Sequence, residues 1–149
     1  MKTEKDYEEF LRLFNKHKVR YCVIGAFALA FHTRPRYTKD IDVLVENSAE
    51  NAKKVLHALD EFGFGSLELE IADFLSEGNI IQLGYEPVRI DILTSIKGMN
   101  FSDIWGTRVR GTYGDQTVNY INRKNLIKSK KISNRIQDQA DIELLLPED

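Results

Sequence analysis

Residues Tyr21–Val45 read YCVIGAFALAFHTRPRYTKDIDVLV, and the order of residues in this stretch decides how the rest of the chain is understood. Val19 to Ile24 is short, apolar and rich in β-branched residues, the composition of a buried strand. Gly25-Ala26 follows. Phe27 to Phe31 carries too much Ala and Leu for a strand, so a tight glycine turn leads from strand into helix. A polar basic loop, Thr33 to Lys39, separates this helix from a second strand. In Asp40 to Val45 the residues alternate: Ile41, Val43 and Val45 face one way, and Asp40, Asp42 and Leu44 the other.

Working outward, Tyr7, Phe10, Leu11 and Phe14 recur at helical spacing behind Thr3, which predicts a helix over Thr3 to His17 with Thr3 as its N-cap. Ser48 is the expected N-cap of a helix whose Ala52, Val55, Leu56 and Leu59 share a face, with Gly63 as terminator. A short helix is expected near Ile71 to Leu75, then two strands, Asn79 to Leu83 and Val88 to Leu93. Thr107 to Tyr113 and Thr117 to Ile121 form a hairpin around Gly114-Asp115, and the C-terminus reads as two helices, Arg123 to Lys131 and Asn134 to Leu146. Alternating strands and helices followed by clustered strands give an α/β (α+β) class, with a mixed sheet flanked by helices. No repeat or linker divides the sequence, so 1–149 is expected to be one domain.

Composition narrows the function classes. Lys and Arg number 21 against 23 Asp and Glu, a net charge of −2, so there is no basic excess of the kind that coats extended DNA. The single cysteine, Cys22, cannot form an internal disulfide. Tyr21 to Phe31, the longest apolar run, is about half a membrane span, and Met1 to Asp6 opens no signal-peptide core. A cytoplasmic protein with no membrane association is expected.

Three features carry chemistry. Gly25-Ala26 at a strand-to-helix turn turns the helix amides outward, where they can hold phosphate oxygens; plain turn chemistry is the bland alternative. Asp40 and Asp42, with thirteen residues between Ala26 and Asp40, lie at i and i+2 on one strand face, about 6 to 7 Å apart. Two such acids repel unless a cation compensates, and hard oxygen ligands suit Mg²⁺. The alternative is a solvated face neutralised by Lys39 and Arg36. Asp91, in Arg89-Ile90-Asp91-Ile92, completes the set: if its strand pairs in register beside that of Asp40, three carboxylates surround two Mg²⁺ ions, as in nucleotidyl transfer.

Together these residues resemble the minimal core of the nucleotidyltransferase superfamily related to DNA polymerase β. More closely, Ile24 to Ala28 with Arg36-Tyr37-Thr38-Lys39-Asp40-Ile41-Asp42 is similar to small prokaryotic nucleotidyltransferase-like proteins, among them those related to abortive-infection toxins, and more loosely to lincosamide nucleotidyltransferases. Lys130-Lys131 through Arg135, Asp138 and Asp141-Ile142 is similar to that group's terminal helix. The resemblance implies a minimal nucleotidyltransferase fold with C-terminal helices. It implies that Asp40, Asp42 and Asp91 bind Mg²⁺ or Mn²⁺, with Asp91 helping to activate the acceptor hydroxyl. Gly25 and Ala26 would hold the β- and γ-phosphates of an NTP, flanked by Arg34, Arg36 and Lys39, while Lys130 and Arg135 reach the site from the end of the chain. The family turn is Gly-Gly or Gly-Ser, and here Ala26 departs from it; the amide stays available, but a serine hydroxyl is lost and a glycine-only backbone would be strained.

The implied reaction moves a nucleoside monophosphate from an NTP to a hydroxyl and releases pyrophosphate. The acceptor is a small molecule, a protein or a tRNA, and so short a chain calls for a second copy (a homodimer), a protein partner or the substrate to complete the acceptor site. The competing reading is a non-catalytic module of the same fold that binds a partner, as one half of a toxin–antitoxin or regulatory pair. Ala26 and the short chain favour it, and the intact acid set opposes it. His32 and His57 read as surface or helix-packing residues, Cys22 as a packing residue, and Trp105, Phe101 and Tyr113 as core rather than base-stacking groups.

Overall fold

The computed structural model describes residues 4–34, 38, 40–85 and 87–146. Six strands form one mixed sheet in the order β3-β4-β2-β1-β6-β5. They are β1 (Tyr21–Ile24), β2 (Asp40–Val45), β3 (Ile80–Tyr85), β4 (Val88–Leu93), β5 (Val109–Tyr113) and β6 (Gln116–Tyr120). The helices are α1 (Lys5–Lys16), α2 (Gly25–His32), α3 (Ala49–Leu59), α4 (Ile71–Leu75), α5 (Phe101–Gly106), α6 (Arg123–Ser133) and α7 (Ile136–Leu145).

Strand direction positions the site. β1 is antiparallel to β2, and β2 runs parallel to β4, so the end of β1 meets the beginnings of β2 and β4. In that register Ile24 pairs with Asp42, Asp42 with Asp91, and Asp40 with Arg89. The outer pairs, β3–β4 and β5–β6, are antiparallel hairpins, and the second turns through Gly114 in the left-handed region, φ +58°.

All four residues of β1 are buried, so both faces of this central strand are covered. Leu44, expected on the same open face as the acids, is also buried. The second face of β2 is therefore solvated only near its start, and the acid pair sits at the mouth of an otherwise sandwiched strand. α1 packs on α3 and β6, while α6 and α7 pack on each other and on α2.

Several boundaries differ from expectation. α1 begins behind Glu4, whose side chain makes no capping hydrogen bond, and the expected cap, Thr3, lies outside the described residues. Burial holds the helix instead: Phe10, Leu11, Leu13 and Phe14 are buried, at about 1.5–3 kcal/mol each, against about 1 kcal/mol for a cap. Asn134, expected to open the last helix, closes α6 in the left-handed region (φ +52°), a conformation asparagine tolerates; α7 starts two residues later, behind Arg135. α5 was not anticipated, because six residues are too few to show a period; Asn100 caps it by accepting from the Ser102 N–H.

One long-range contact ties α1 to the site end of the sheet. The Tyr7 hydroxyl donates to the Arg89 carbonyl at 3.1 Å and accepts from the Arg89 N–H at 3.2 Å. Burial pushes this phenol up to about 12, so it stays protonated and able to donate. Tyr7→Phe removes a group serving two main-chain partners; it is expected to lower stability by about 1–3 kcal/mol in urea denaturation, with little change in the denaturant slope.

Candidate active site

Gly25 fixes the geometry at the end of β1. Its φ of +67° is in the region that favours glycine, and a Cβ placed there would lie 2.4 Å from Asp42 Oδ2. The main chain thus passes directly against the Asp42 carboxylate, an approach no other residue permits. Ala26 follows on the exposed side of the first turn of α2, and it is not among the residues with positive φ. Alanine is therefore accommodated without the backbone strain that its departure from the Gly-Gly or Gly-Ser turn suggested.

The three acids converge from two strands. Asp42 stands opposite Asp91 across the β2–β4 ladder, so the two carboxyl groups are neighbours on one face of the sheet. Asp42 is pushed up to about 7 from the usual 3.8, first by burial, then by the charges of Asp91 and Asp40, with the contact to Asp91 adding to the rise. Arg89 acts the other way. Its Nη2 lies 3.0 Å from Asp40 Oδ2 and 3.1 Å from Asp91 Oδ2. The other oxygens of both acids, Asp40 Oδ1 and Asp91 Oδ1, are buried and accept no hydrogen bond.

This arrangement has a surplus of negative charge, hard oxygen donors and two buried oxygens in need of a partner, all of which suit a divalent cation. Among the described residues, no group of three or more His, Cys, Asp or Glu side chains is yet drawn in closely enough to hold a metal. Arg89 occupies two of the acids, so a bound cation entails their rearrangement.

The remaining candidates fall in three places. Arg34 is described and exposed, while Arg36 and Lys39 lie outside the described residues. Lys130 is buried in the α6–α7 interface, its Nζ 3.0 Å from Asp141 Oδ2 and 3.7 Å from Asp138 Oδ1. Arg135, largely exposed, bonds Asp138 Oδ2 through Nε at 3.0 Å. Its guanidinium is raised chiefly by that bond. Burial would raise Asp138, but hydrogen bonds from the Arg135 side chain and main chain outweigh it and hold the carboxyl below the usual range. Arg89 and Tyr7 were not recognised as site residues from sequence. The only signal was the Arg89-Ile90-Asp91 alternation, which puts the arginine on the face of the acid.

The residues set aside as packing groups behave so. Burial pushes the Cys22 thiol up to about 12. A His32 ring nitrogen lies 2.7 Å from the Ile121 carbonyl, and burial lowers the imidazole. Tyr113 is buried, and Trp105 lies under the Arg108 guanidinium at 3.6 Å from its ring centre.

No family model and no curated protein matches the sequence. Solved structures do. The lincosamide antibiotic adenylyltransferase LnuA with lincomycin bound superposes with a TM-score of 0.56 at 18% identity, over 96% of each chain. TM1012 of Thermotoga maritima, provisionally assigned as a nucleotidyltransferase, gives a TM-score of 0.62 at 12% identity over 93% of this chain and 89% of that one. ANT(2")-Ia in complex with adenylyl-2"-tobramycin gives 0.58 at 10% identity, over 93% and 84%. The chain has a nucleotidyltransferase fold. In that fold the sheet end carrying Gly25, Asp40, Asp42 and Asp91 holds two buried carboxylate oxygens, Asp40 Oδ1 and Asp91 Oδ1, that have no hydrogen-bond partner. No helix among the described residues is long and apolar enough to cross a membrane.

Two outcomes follow from this geometry. Gly25→Ala forces a left-handed backbone on alanine and a Cβ onto Asp42, and is expected to cost about 1–3 kcal/mol in thermal denaturation. Asp42 is raised on folding, so the folded state holds its proton more tightly than the unfolded chain does. That contribution is complete below about pH 4 and is lost as the pH rises through about 7. In chelator, Asp42→Asn should therefore match the parent near pH 4 and exceed it at pH 8 by on the order of 1–3 kcal/mol. An equal difference at both pH values in urea titrations would contradict this.

Proposed function

We propose that this chain is a metal-dependent nucleotidyltransferase that moves a nucleoside monophosphate from an NTP to a hydroxyl acceptor. The observation that carries the reading is the in-register pair Asp42–Asp91, joined by Asp40, directly beneath the Gly25 turn. Nothing in the packing of a plain α/β domain calls for three acids there, since burying like charges together costs free energy.

Asp40, Asp42 and Asp91 are the residues that would hold Mg²⁺ or Mn²⁺. Such ions, when bound, neutralise the phosphates and lower the pKa of the attacking hydroxyl. Gly25 and Ala26 offer main-chain N–H groups at the start of α2 to the β- and γ-phosphates, helped by the helix dipole. Arg34 adds positive charge after α2, as do Arg36 and Lys39 in the reading from sequence. In the reaction the acceptor oxygen bonds to the α-phosphorus, the bond from that phosphorus to the leaving pyrophosphate breaks, and the hydroxyl proton passes to Asp91. Lys130 braces α7 against α6, Arg135 holds Asp138 at the head of α7, and both are offered as positive charge toward the site only in the reading from sequence.

The names of the structural neighbours support this reading: one is a lincosamide antibiotic adenylyltransferase, and another is held with an adenylylated aminoglycoside, so ATP and a small hydroxyl compound are the first substrates to try. LnuA and this chain match over nearly their full lengths, so shortness does not weigh against catalysis.

The test is direct. With Mg²⁺ and each NTP in turn, calorimetry should show metal-dependent nucleotide binding, and acceptor screening should show pyrophosphate release with a nucleotide-mass adduct. Asp42→Asn is expected to reduce turnover by at least about 100-fold. Absence of NTP binding at millimolar concentration, with Asp42→Asn indistinguishable from the parent, would defeat the enzymatic reading.

A further inference from the structure

Among the described residues, the charge of the acid cluster is offset in part by the side chain of Arg89. Arg89 lies across from Asp40 on the neighbouring parallel strand and two residues before Asp91 on its own. A single guanidinium nitrogen, Nη2, serves both carboxylates, at 3.0 and 3.1 Å. Each carboxylate is mostly buried, with 23% of the Asp40 side chain and 10% of the Asp91 side chain exposed. Buried acids at this spacing need a cation nearby, because repulsion and lost hydration both oppose their charged forms. The main chain of Arg89 is fixed by the Tyr7 hydroxyl, so the guanidinium is delivered from a rigid point.

A divalent cation on the unpartnered Oδ1 atoms would lie close to the guanidinium on the Oδ2 atoms of the same two acids, and two cations held that near repel. We propose that Arg89 is the resident counter-ion of the acid cluster and competes with the divalent cation for Asp40 and Asp91. The inference rests on the reading that this site takes a metal. In the metal-free protein Arg89 bridges the two acids and offsets their repulsion, so the fold does not depend on metal to tolerate them. Metal entry requires the guanidinium to withdraw, and its partial exposure (30%) leaves it a route toward solvent. The metal affinity of the free protein is therefore set low by an internal competitor.

The test measures Mn²⁺ binding by the loss of the free-ion EPR signal, together with melting temperatures in chelator, and needs neither nucleotide nor acceptor. Arg89→Gln is expected to bind Mn²⁺ about tenfold or more tightly than the parent, to melt lower in chelator and to recover when Mn²⁺ is added. Arg89→Lys, one atom shorter and more strongly hydrated, holds the two carboxylates less well and should fall between the two. Adding Asp42→Asn to either background should abolish the binding, which places the measured ion at this cluster. If the parent binds Mn²⁺ and Arg89→Gln binds it no more tightly, the competition is refuted while the metal site stands. If neither binds at millimolar Mn²⁺, the metal reading itself fails and takes this inference with it. Should Arg89→Gln not fold, Arg89→Lys decides: a Mn²⁺ affinity equal to that of the parent overturns the proposal.

Discussion

Asp42 and Asp91 stand side by side on two parallel strands, and the repulsion between them is the constraint around which this end of the molecule is arranged. Parallel strands leave no freedom to slide one acid away, because a one-residue slip would turn the whole of β2 inside out and expose Ile41, Val43 and Val45. The repulsion is instead met locally. A proton favours Asp42, an arginine bridges Asp40 and Asp91, and a glycine lies against the Asp42 carboxylate, bringing main chain rather than side chain to it.

The second cluster of charge, at the C-terminus, is organised differently. Lys130 and Arg135 face Asp138 and Asp141, opposite signs in equal number, so this cluster is neutral within itself. It pins α7 to α6 and gives the short last helix an orientation that its own hydrophobic surface does not specify, since Asp138 and Leu145 are its only buried residues. One cluster is balanced and structural; the other is acidic and open to a cation from outside. That difference is the physical basis for looking for chemistry at the first.

Much of this was legible in the sequence wherever a pattern was strong and local. The bounds of β2, α4 and β4 agree residue for residue with the reading from alternation and composition, and the turn at Gly25 follows from an apolar strand meeting an Ala-rich helix. The acid set was also legible, because i and i+2 on a strand fix a shared face whatever the rest of the chain does. What escaped depends on register and distance. Arg89 looks like an ordinary polar position of an edge strand until Asp40, 49 residues earlier, is known to lie opposite it. Tyr7 was visible as a core position of α1, but nothing in a helical period reveals that its hydroxyl ends on a main-chain group 82 residues away. Lys130 was read as a residue reaching the site, and its acidic partners are visible only once α6 and α7 are folded against each other.

The tether between Tyr7 and Arg89 also governs how the molecule comes apart. α1 lies near the start of the chain but buries Tyr7, Phe10, Leu11, Leu13 and Phe14 in the core, so it undocks only in a large opening. Its departure would withdraw the hydroxyl that holds the Arg89 peptide, and with it the bridge over Asp40 and Asp91. Docking of the first helix and order at the acid cluster thus form one cooperative unit. A protease that caught α1 while undocked would disarm the site without cutting any residue that composes it.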